Sequence, residues 1–313
     1  MLIDEYLEYL NGTAGKSQGT IKQYRSCLNL FTCYMSKKTE HTKETKFSIT
    51  REIVKKIKLS DIDGFLSSMN LNVDKDGKKT GNGNGAKKNK ISTLKSFFKY
   101  CKREKLIKEN IMLELEDIPK KDKRVAKCFT LEESKRLVNE VGGRNKERDK
   151  MIIILFLNTG LRLEELVNLN IFCVKNQDLN IIGKGNKERV VHLDLSVVNL
   201  LKKYIENVRP ESKKELNALF LSERLTRISC RTVQSAVNNA ISNAGLNVEG
   251  KNDMSVHALR HTFATLQFQN NVSIRTLQKI LGHEDISTTQ IYVQVADNQM
   301  IEAAKTNPLL SIF

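Results

Sequence analysis

The chain has 313 residues, enough for one large or two ordinary domains, and 40% of them are hydrophobic, enough for a core in each. Lys+Arg 52 against Asp+Glu 36 gives a net charge of +16, an excess that calls for a polyanionic partner, nucleic acid before membrane. No apolar run reaches the roughly 18 residues of a membrane span, and the start, Met-Leu-Ile-Asp-Glu, lacks the basic and apolar regions of a secretory signal.

The six cysteines are scattered and form no CxxC pair, so neither a disulfide framework nor a cysteine zinc site is indicated, and a reducing cytoplasm is the simple inference. In chain order, a helix starts at residues 17–20 and carries Ile21, Tyr24, Leu28, Phe31 and Met35 at helical spacing. Residues 37–46 are polar and basic and read as a loop. Ser60 and Asp61 can cap a helix with Ile62, Phe65, Leu66 and Met69 on one face. Residues 74–89, DKDGKKTGNGNGAKKN, have nothing to bury and read as a mobile basic loop. Ile91, Leu94, Phe97, Phe98 and Cys101 then make another amphipathic helix. Lysines and arginines lie between these apolar positions throughout. They serve either as solvated faces or as the basic side of a bundle set against DNA phosphates.

Residues 118–127, IPKKDKRVAK, are basic, contain a proline and have no periodicity, so they read as a linker. Thr130 and Glu133 form a capping box that restarts helix. The domains are therefore expected at 1–118 and 128–313, with a linker at 119–127. Residues 151–157 are apolar nearly all round, the mark of a buried helix ended by Thr159 and Gly160. Arg162 opens the next helix, with Glu164, Glu165, Leu166 and Leu169. Two strands, 180–182 and 188–193, are joined by a glycine-rich turn at 183–186. Helices follow at 197–208, at 230–244 with Gly245 as its stop, and at 257–269. Ser273 caps a helix over 274–281, Gly282 suits its C-terminal stop, and Ser287 can cap a short helix holding Tyr292.

Several side chains of the second domain carry chemistry together. His257 and Arg260 share a helix face at i and i+3. Two guanidiniums, Arg162 and Arg260, can clamp a phosphodiester and neutralise charge that builds on its oxygens. Tyr292 can supply an attacking oxygen, a histidine can accept its proton, and Lys184 can protonate a leaving alkoxide. Each has a blander alternative. Arg162 is a surface arginine when taken alone, Lys184 an ordinary turn lysine or a passive phosphate ligand, and the Tyr292 stretch a packing unit. His257 and His261 have the i, i+4 spacing of a zinc pair, but no glutamate or third ligand accompanies them, so no metal and no cofactor are expected. His41 and His192 read as incidental.

TGLRLEEL (159–166), GKGNKER (183–189), HALRH (257–261) and LGHEDISTTQIY (281–292) resemble, in order and rough separation, the four signature boxes of the tyrosine recombinases, the integrase and Xer superfamily. The helices ending at 97–100 are similar to the family's core-binding domain, so the resemblance covers essentially the whole chain. It implies a mainly α fold with a small antiparallel sheet in the catalytic domain, arranged as a two-domain clamp on DNA. Arg162 and Arg260 are similar to the arginines that hold the scissile phosphate. Lys184 matches the lysine that protonates the leaving 5′ oxygen, and His257 the proton-accepting histidine. His283 matches a phosphate-binding position, and Tyr292 the nucleophile that forms a 3′-phosphotyrosyl bond. Glu165 matches an acidic position that orients the first arginine or a neighbouring hydrogen bond.

The function this implies is site-specific recombination, either integrating or excising a mobile element or resolving chromosome dimers. The expected partner is a specific duplex site, bound by a homotetramer on paired sites or a heterotetramer with a related recombinase, in the cytoplasm and without a membrane. The apolar tail Leu309, Leu310, Ile312 and Phe313 either folds back on its own domain or docks on a neighbouring protomer. No further N-terminal domain, and hence no arm-site binding, is expected. Two departures stand out: Val190, Val191 and His192 where the family often has a proline, and long polar stretches at 37–50 and 74–89. The rivals are a type IB topoisomerase and a non-catalytic DNA-binding protein.

Overall fold

The computed structural model describes residues 1–38, 48–69, 84–115, 127–183, 187–246 and 255–282. The chain divides into two units, Met1–Lys123 and Arg124–Phe313, each built on its own apolar core.

The first unit is helical: α1 (Leu2–Gly12), α2 (Gln18–Lys38), α3 (Arg51–Lys56), α4 (Leu59–Ser68) and α5 (Asn84–Arg103), followed by a 3-10 turn at Ile111–Leu113. Leu2, Tyr6, Leu7 and Leu10 bury one stripe of α1, and Ile21, Leu28, Phe31 and Met35 one stripe of α2. The aromatic centre of the core holds Tyr6 edge-on to Phe97 and Phe31 edge-on to Phe65, at centroid separations of 5.3 and 5.1 Å. Burying each such side chain contributes about 1.5–3 kcal/mol, which is why the helices form although their propensities alone are modest.

Five features differ from the sequence expectations. Helices α1 and α3 lie outside the predicted elements. The first begins at Leu2 with no side-chain cap, and the second is one short turn whose N-cap, the Thr50 hydroxyl, accepts from the Ile53 N–H at 3.3 Å. The loop expected at 74–89 is helical from Asn84, because the buried anchors Leu94, Phe97 and Phe98 hold α5 and its extension costs only tenths of a kcal/mol per polar residue and about 1 kcal/mol at Gly85. Asp61 is not the cap of α4 but its third residue, where its carboxylate accepts the Lys58 backbone N–H at 2.8 Å. Lys37 and Lys38, expected to open a loop, close α2 instead, and residues 39–46 and 74–83 of the expected basic loops lie outside the described residues, as do positions 119–126 of the expected linker.

The second unit starts at α6 (Leu131–Asn139), where the Thr130 hydroxyl accepts from Glu133 N–H and the Glu133 carboxylate accepts from Thr130 N–H. The buried α7 (Lys146–Thr159) leads through Gly160 into the short α8 (Leu163–Val167). A three-stranded antiparallel sheet follows in the order β1 (Val174–Lys175), β2 (Asp178–Ile182), β3 (Glu188–His192). Pairs such as Leu179 with Val191 set its register and turn these two side chains into the core. Strand β1 is absent from the sequence reading, since two residues show no period.

Helices α9 (Leu195–Asn207), α10 (Cys230–Asn243), α11 (Val256–Gln269) and α12 (Ile274–Leu281) complete the unit. Side-chain caps start three of them: Asp194 for α9, Ser229 for α10 and Ser273 for α12. Helix α11 packs on α7, and α12 packs on α11 and β3. Among the described residues no helix is long and apolar enough to cross a membrane.

Candidate active site

The site grows from two glycine stops. Gly160 ends α7 at φ +61°, and a Cβ there would lie 2.5 Å from Phe263 and 2.7 Å from Leu281. Gly282 ends α12 at φ +62°, where a Cβ would lie 3.1 Å from the Arg189 side chain. Both positions need a residue that tolerates the left-handed region and leaves room for a close neighbour. These stops bring the end of α7, the end of α12 and the middle of α11 together.

Three arginines converge on the last carbonyls of α12. Arg189 Nε donates to the Ile280 carbonyl at 2.9 Å, Arg260 Nη2 to that of Leu281 at 2.8 Å, and Arg162 Nη2 to that of Gly282 at 2.9 Å. The carbonyls at a helix C-terminus carry its unsatisfied acceptors and negative dipole end, which favours cations there. Arg260 also donates to the Gly160 carbonyl and is buried, with 6% of its surface exposed. The Arg162 side chain is 38% exposed, so the cluster has one guanidinium that reaches solvent.

Glu165 sits at the centre with its side chain 4% exposed. Its Oε1 accepts from Arg162 Nη1 and Arg189 Nη1, and its Oε2 from the Arg162 backbone N–H and Arg189 Nη2, all at 2.7–2.8 Å. Burial by itself raises the carboxyl pKa, but the hydrogen bonds and charges of Arg189 and Arg162 outweigh it and hold the group at about 2. Glu165 is therefore ionised across the working pH range, and it fixes Arg162 both by side chain and by backbone. Three guanidiniums, Arg162, Arg189 and Arg260, against the one carboxylate of Glu165 leave the cluster net positive, as a phosphate site requires.

His257 lies exposed on α11, one turn before Arg260. His261, half-buried a turn further on, is pushed below the usual histidine range by burial and then by the neighbouring His257 and Arg260 charges. Among the described residues no third side chain joins these two as a metal-binding group. Lys184, His283 and Tyr292 lie outside the described residues. The described residues beside two of them are Gly183, whose N–H donates to the Lys187 carbonyl at 2.8 Å, and Gly282, the residue before His283. The structure thus brings Arg162, Glu165 and Arg260 into one cluster, with His257 on the same helix as Arg260.

Arg189 is the member that the sequence reading missed. Its signal was present: alternation along β3 turns Arg189 to the same face as the buried Val191, while Glu188, Val190 and His192 face out. A charged residue at an inward strand position calls for a buried partner, and Glu165 is that partner.

Residues 127–299 match the phage integrase family, and residues 3–74 match the phage integrase N-terminal SAM-like domain. The tyrosine recombinase XerC of Caldanaerobacter subterraneus subsp. tengcongensis is 41% identical, covering 98% of this chain and 87% of its own. The tyrosine recombinase XerD of Staphylococcus aureus is 31% identical, covering 96% and 95%. Among solved structures, the XerH site-specific recombinase bound to its difH substrate superposes with a TM-score of 0.66 at 25% identity, covering 91% of this chain and 79% of that one. A lambda integrase dimer bound to a core site shares the fold, with a TM-score of 0.69 at 19% identity, covering 92% and 95%. The chain belongs to the phage integrase family of tyrosine recombinases, site-specific enzymes that cleave and rejoin DNA strands.

Proposed function

We propose that Tyr292 attacks a phosphodiester of a duplex recombination site and carries the broken strand as a 3′-phosphotyrosyl ester. A free phenol, with a pKa of about 10, is a weak nucleophile at neutral pH. In this reading His257 accepts its proton, Arg162 and Arg260 hold the phosphate with His283, and Lys184 protonates the leaving 5′ oxygen. The ester conserves the bond energy, so a 5′-hydroxyl from a partner strand reverses the attack without nucleotide or metal. The observation that carries the reading is the gathering of Arg162 and Arg260, from separate helices, on the last carbonyls of α12 immediately before His283.

Residues 1–118 bind DNA phosphates in this scheme, 119–127 link, and 128–313 carry the chemistry. Support comes from the +16 charge and from the separate family matches at 3–74 and 127–299. The substrate is a pair of duplex sites held by a tetramer, which the apolar tail at 309–313 closes by docking on a neighbour. The work is done in the cytoplasm, where the DNA is. It either integrates or excises a mobile element or resolves chromosome dimers.

The test uses nicked duplexes of the site that the full chain selects from a randomised library. Tyr292→Phe binds them as the parent does and leaves no protein–DNA adduct on a denaturing gel. An adduct that persists in this variant assigns the nucleophile elsewhere. Joining of two DNAs separates the recombinase from a topoisomerase, and truncation after Thr306 removes synapsis but not single-site binding.

A further inference from the structure

We propose that Arg189 is a positioning residue for strand cleavage, holding Arg162 in place by occupying the other half of their shared Glu165 carboxylate. The inference rests on the reading of Arg162 as a phosphate ligand. A carboxylate offers about four lone-pair sites, and all four are filled here: two by Arg189, one by the Arg162 backbone and one by its side chain. Arg162 is thereby restricted to a single hydrogen bond with Oε1 through Nη1, and its Nη2 is turned to the Gly282 carbonyl. Arg189 also donates to the Ile280 carbonyl, so one side chain joins β3, α8 and the end of α12.

Without Arg189 the buried carboxylate regains two acceptor sites, and the nearest cation is Arg162. A guanidinium and a carboxylate prefer the two-pronged arrangement, so Arg162 rotates onto Glu165 and away from the phosphate. Lysine at position 189 supplies one point charge and cannot span both oxygens and a carbonyl. Gly282 leaves space for Arg189, since a Cβ there would lie 3.1–3.3 Å from that side chain, whereas one at Gly183 would make only ordinary contacts, 3.5 Å from Glu165 Oε1 and 3.6 Å from Arg189 Nη1. Both belong to the motifs that flank Lys184 and His283 in the sequence.

The experiment measures single-turnover adduct formation by the full chain on the nicked selected duplex, with DNA affinity measured at the same salt. Arg189→Met is expected to lower the cleavage rate by about 10²-fold, the size of effect that a displacement near 1 Å produces, with affinity essentially unchanged because the Arg189 side chain is turned to Glu165 and the Ile280 carbonyl. Arg189→Lys is expected to fall between parent and Arg189→Met. The decisive arm is the double variant Arg189→Met with Glu165→Gln. It lacks the charge that captures Arg162 and should cleave faster than Arg189→Met alone, a coupling of opposite sign to simple loss of structure. Parent-like cleavage by Arg189→Met, or a double variant no faster than the single one, overturns the proposal. Should Arg189→Met fail to fold by circular dichroism, Arg189→Lys with and without Glu165→Gln is read in the same way. Arg162→Lys separates the two levels. If it cleaves like the parent, the reading of Arg162 as a phosphate ligand fails and the route through Glu165 with it. If it is slow while Arg189→Met is normal, only the role of Arg189 fails.

Discussion

Arg189 and Glu165 form a two-pronged ion pair, Nη1 to Oε1 and Nη2 to Oε2 at 2.8 Å each, with the carboxylate side chain 4% exposed. The pair joins a strand to a helix and stands directly behind Arg162. Such a buried pair adds little net stability over an apolar packing, but removing one partner is expensive because the other charge remains buried. Its consequences are therefore seen most clearly when only one side is altered, by mutation or by protonation.

Protonation is the simpler probe. Glu165 is held at about 2, below its ordinary value of 4.5. A carboxyl whose folded pKa is depressed contributes stability that is present above the ordinary value and lost as pH falls toward the folded one. The unfolding transition that includes α8 should lose about 3 kcal/mol between roughly pH 4.5 and pH 2. Urea midpoints across that window measure it. Glu165→Gln should flatten this part of the profile, while leaving the contribution of other carboxyls.

Gly160→Ala tests the junction of α7 with the site. The new methyl would meet Phe263 at 2.5 Å and Leu281 at 2.7 Å, in a residue held at φ +61°. Left-handed strain costs about 1–2 kcal/mol and overpacking about 1–3 kcal/mol, so a destabilisation of roughly 3 kcal/mol is expected in thermal or urea unfolding. Because Arg260 donates to the Gly160 carbonyl, cleavage should fall as well, even at temperatures where the variant is folded.

Tyr204→Phe is expected to do the opposite. Among the described residues the buried Tyr204 hydroxyl has no hydrogen-bond partner, and burial pushes its pKa up to about 12. Its ring packs on Phe220 at 5.4 Å and stays in place in the variant. Removing an unsatisfied buried hydroxyl should raise stability by about 1 kcal/mol. A shift of the urea midpoint to higher concentration, with unchanged slope, is the expected observation.

Lys184→Ala addresses the proposed general acid. Cleavage should slow by about 10²–10⁴-fold on a normal duplex. On a duplex whose bridging 5′ oxygen is replaced by sulfur, the leaving group needs no proton, and most of the loss should disappear. Equal slowing on both substrates would assign Lys184 to phosphate binding.

Much of this protein was legible in its sequence. Helical spacing located α2, α4 and α5, because a helix that packs on one face must repeat its apolar residues every three to four positions, and an apolar run on all faces located the buried α7. Cap chemistry marked α6 and α12, since the Thr130, Glu133, Ser273 and Gly282 side chains or backbones satisfy the helix ends locally. The motifs carried the family, because Arg162, Lys184, His257, Arg260, His283 and Tyr292 are chemically unusual at those spacings.

Other features needed the folded chain. Helix α1 has no cap and α3 is one turn long, so neither has a strong local signal, and the shared core in which Tyr6 and Val54 are buried fixes them. The polar first turns of α5 have no apolar period and are helical because the anchored part extends into them. The partnership of Glu165 with Arg189 joins residues distant in sequence, and the grip of three arginines on Ile280, Leu281 and Gly282 joins three separate elements to a fourth. Sequence determined which side chains this enzyme possesses and which local turns they start and stop. Tertiary structure alone decided which charges share a carboxylate, because that choice depends on burial and on the approach of elements whose separation no local pattern encodes.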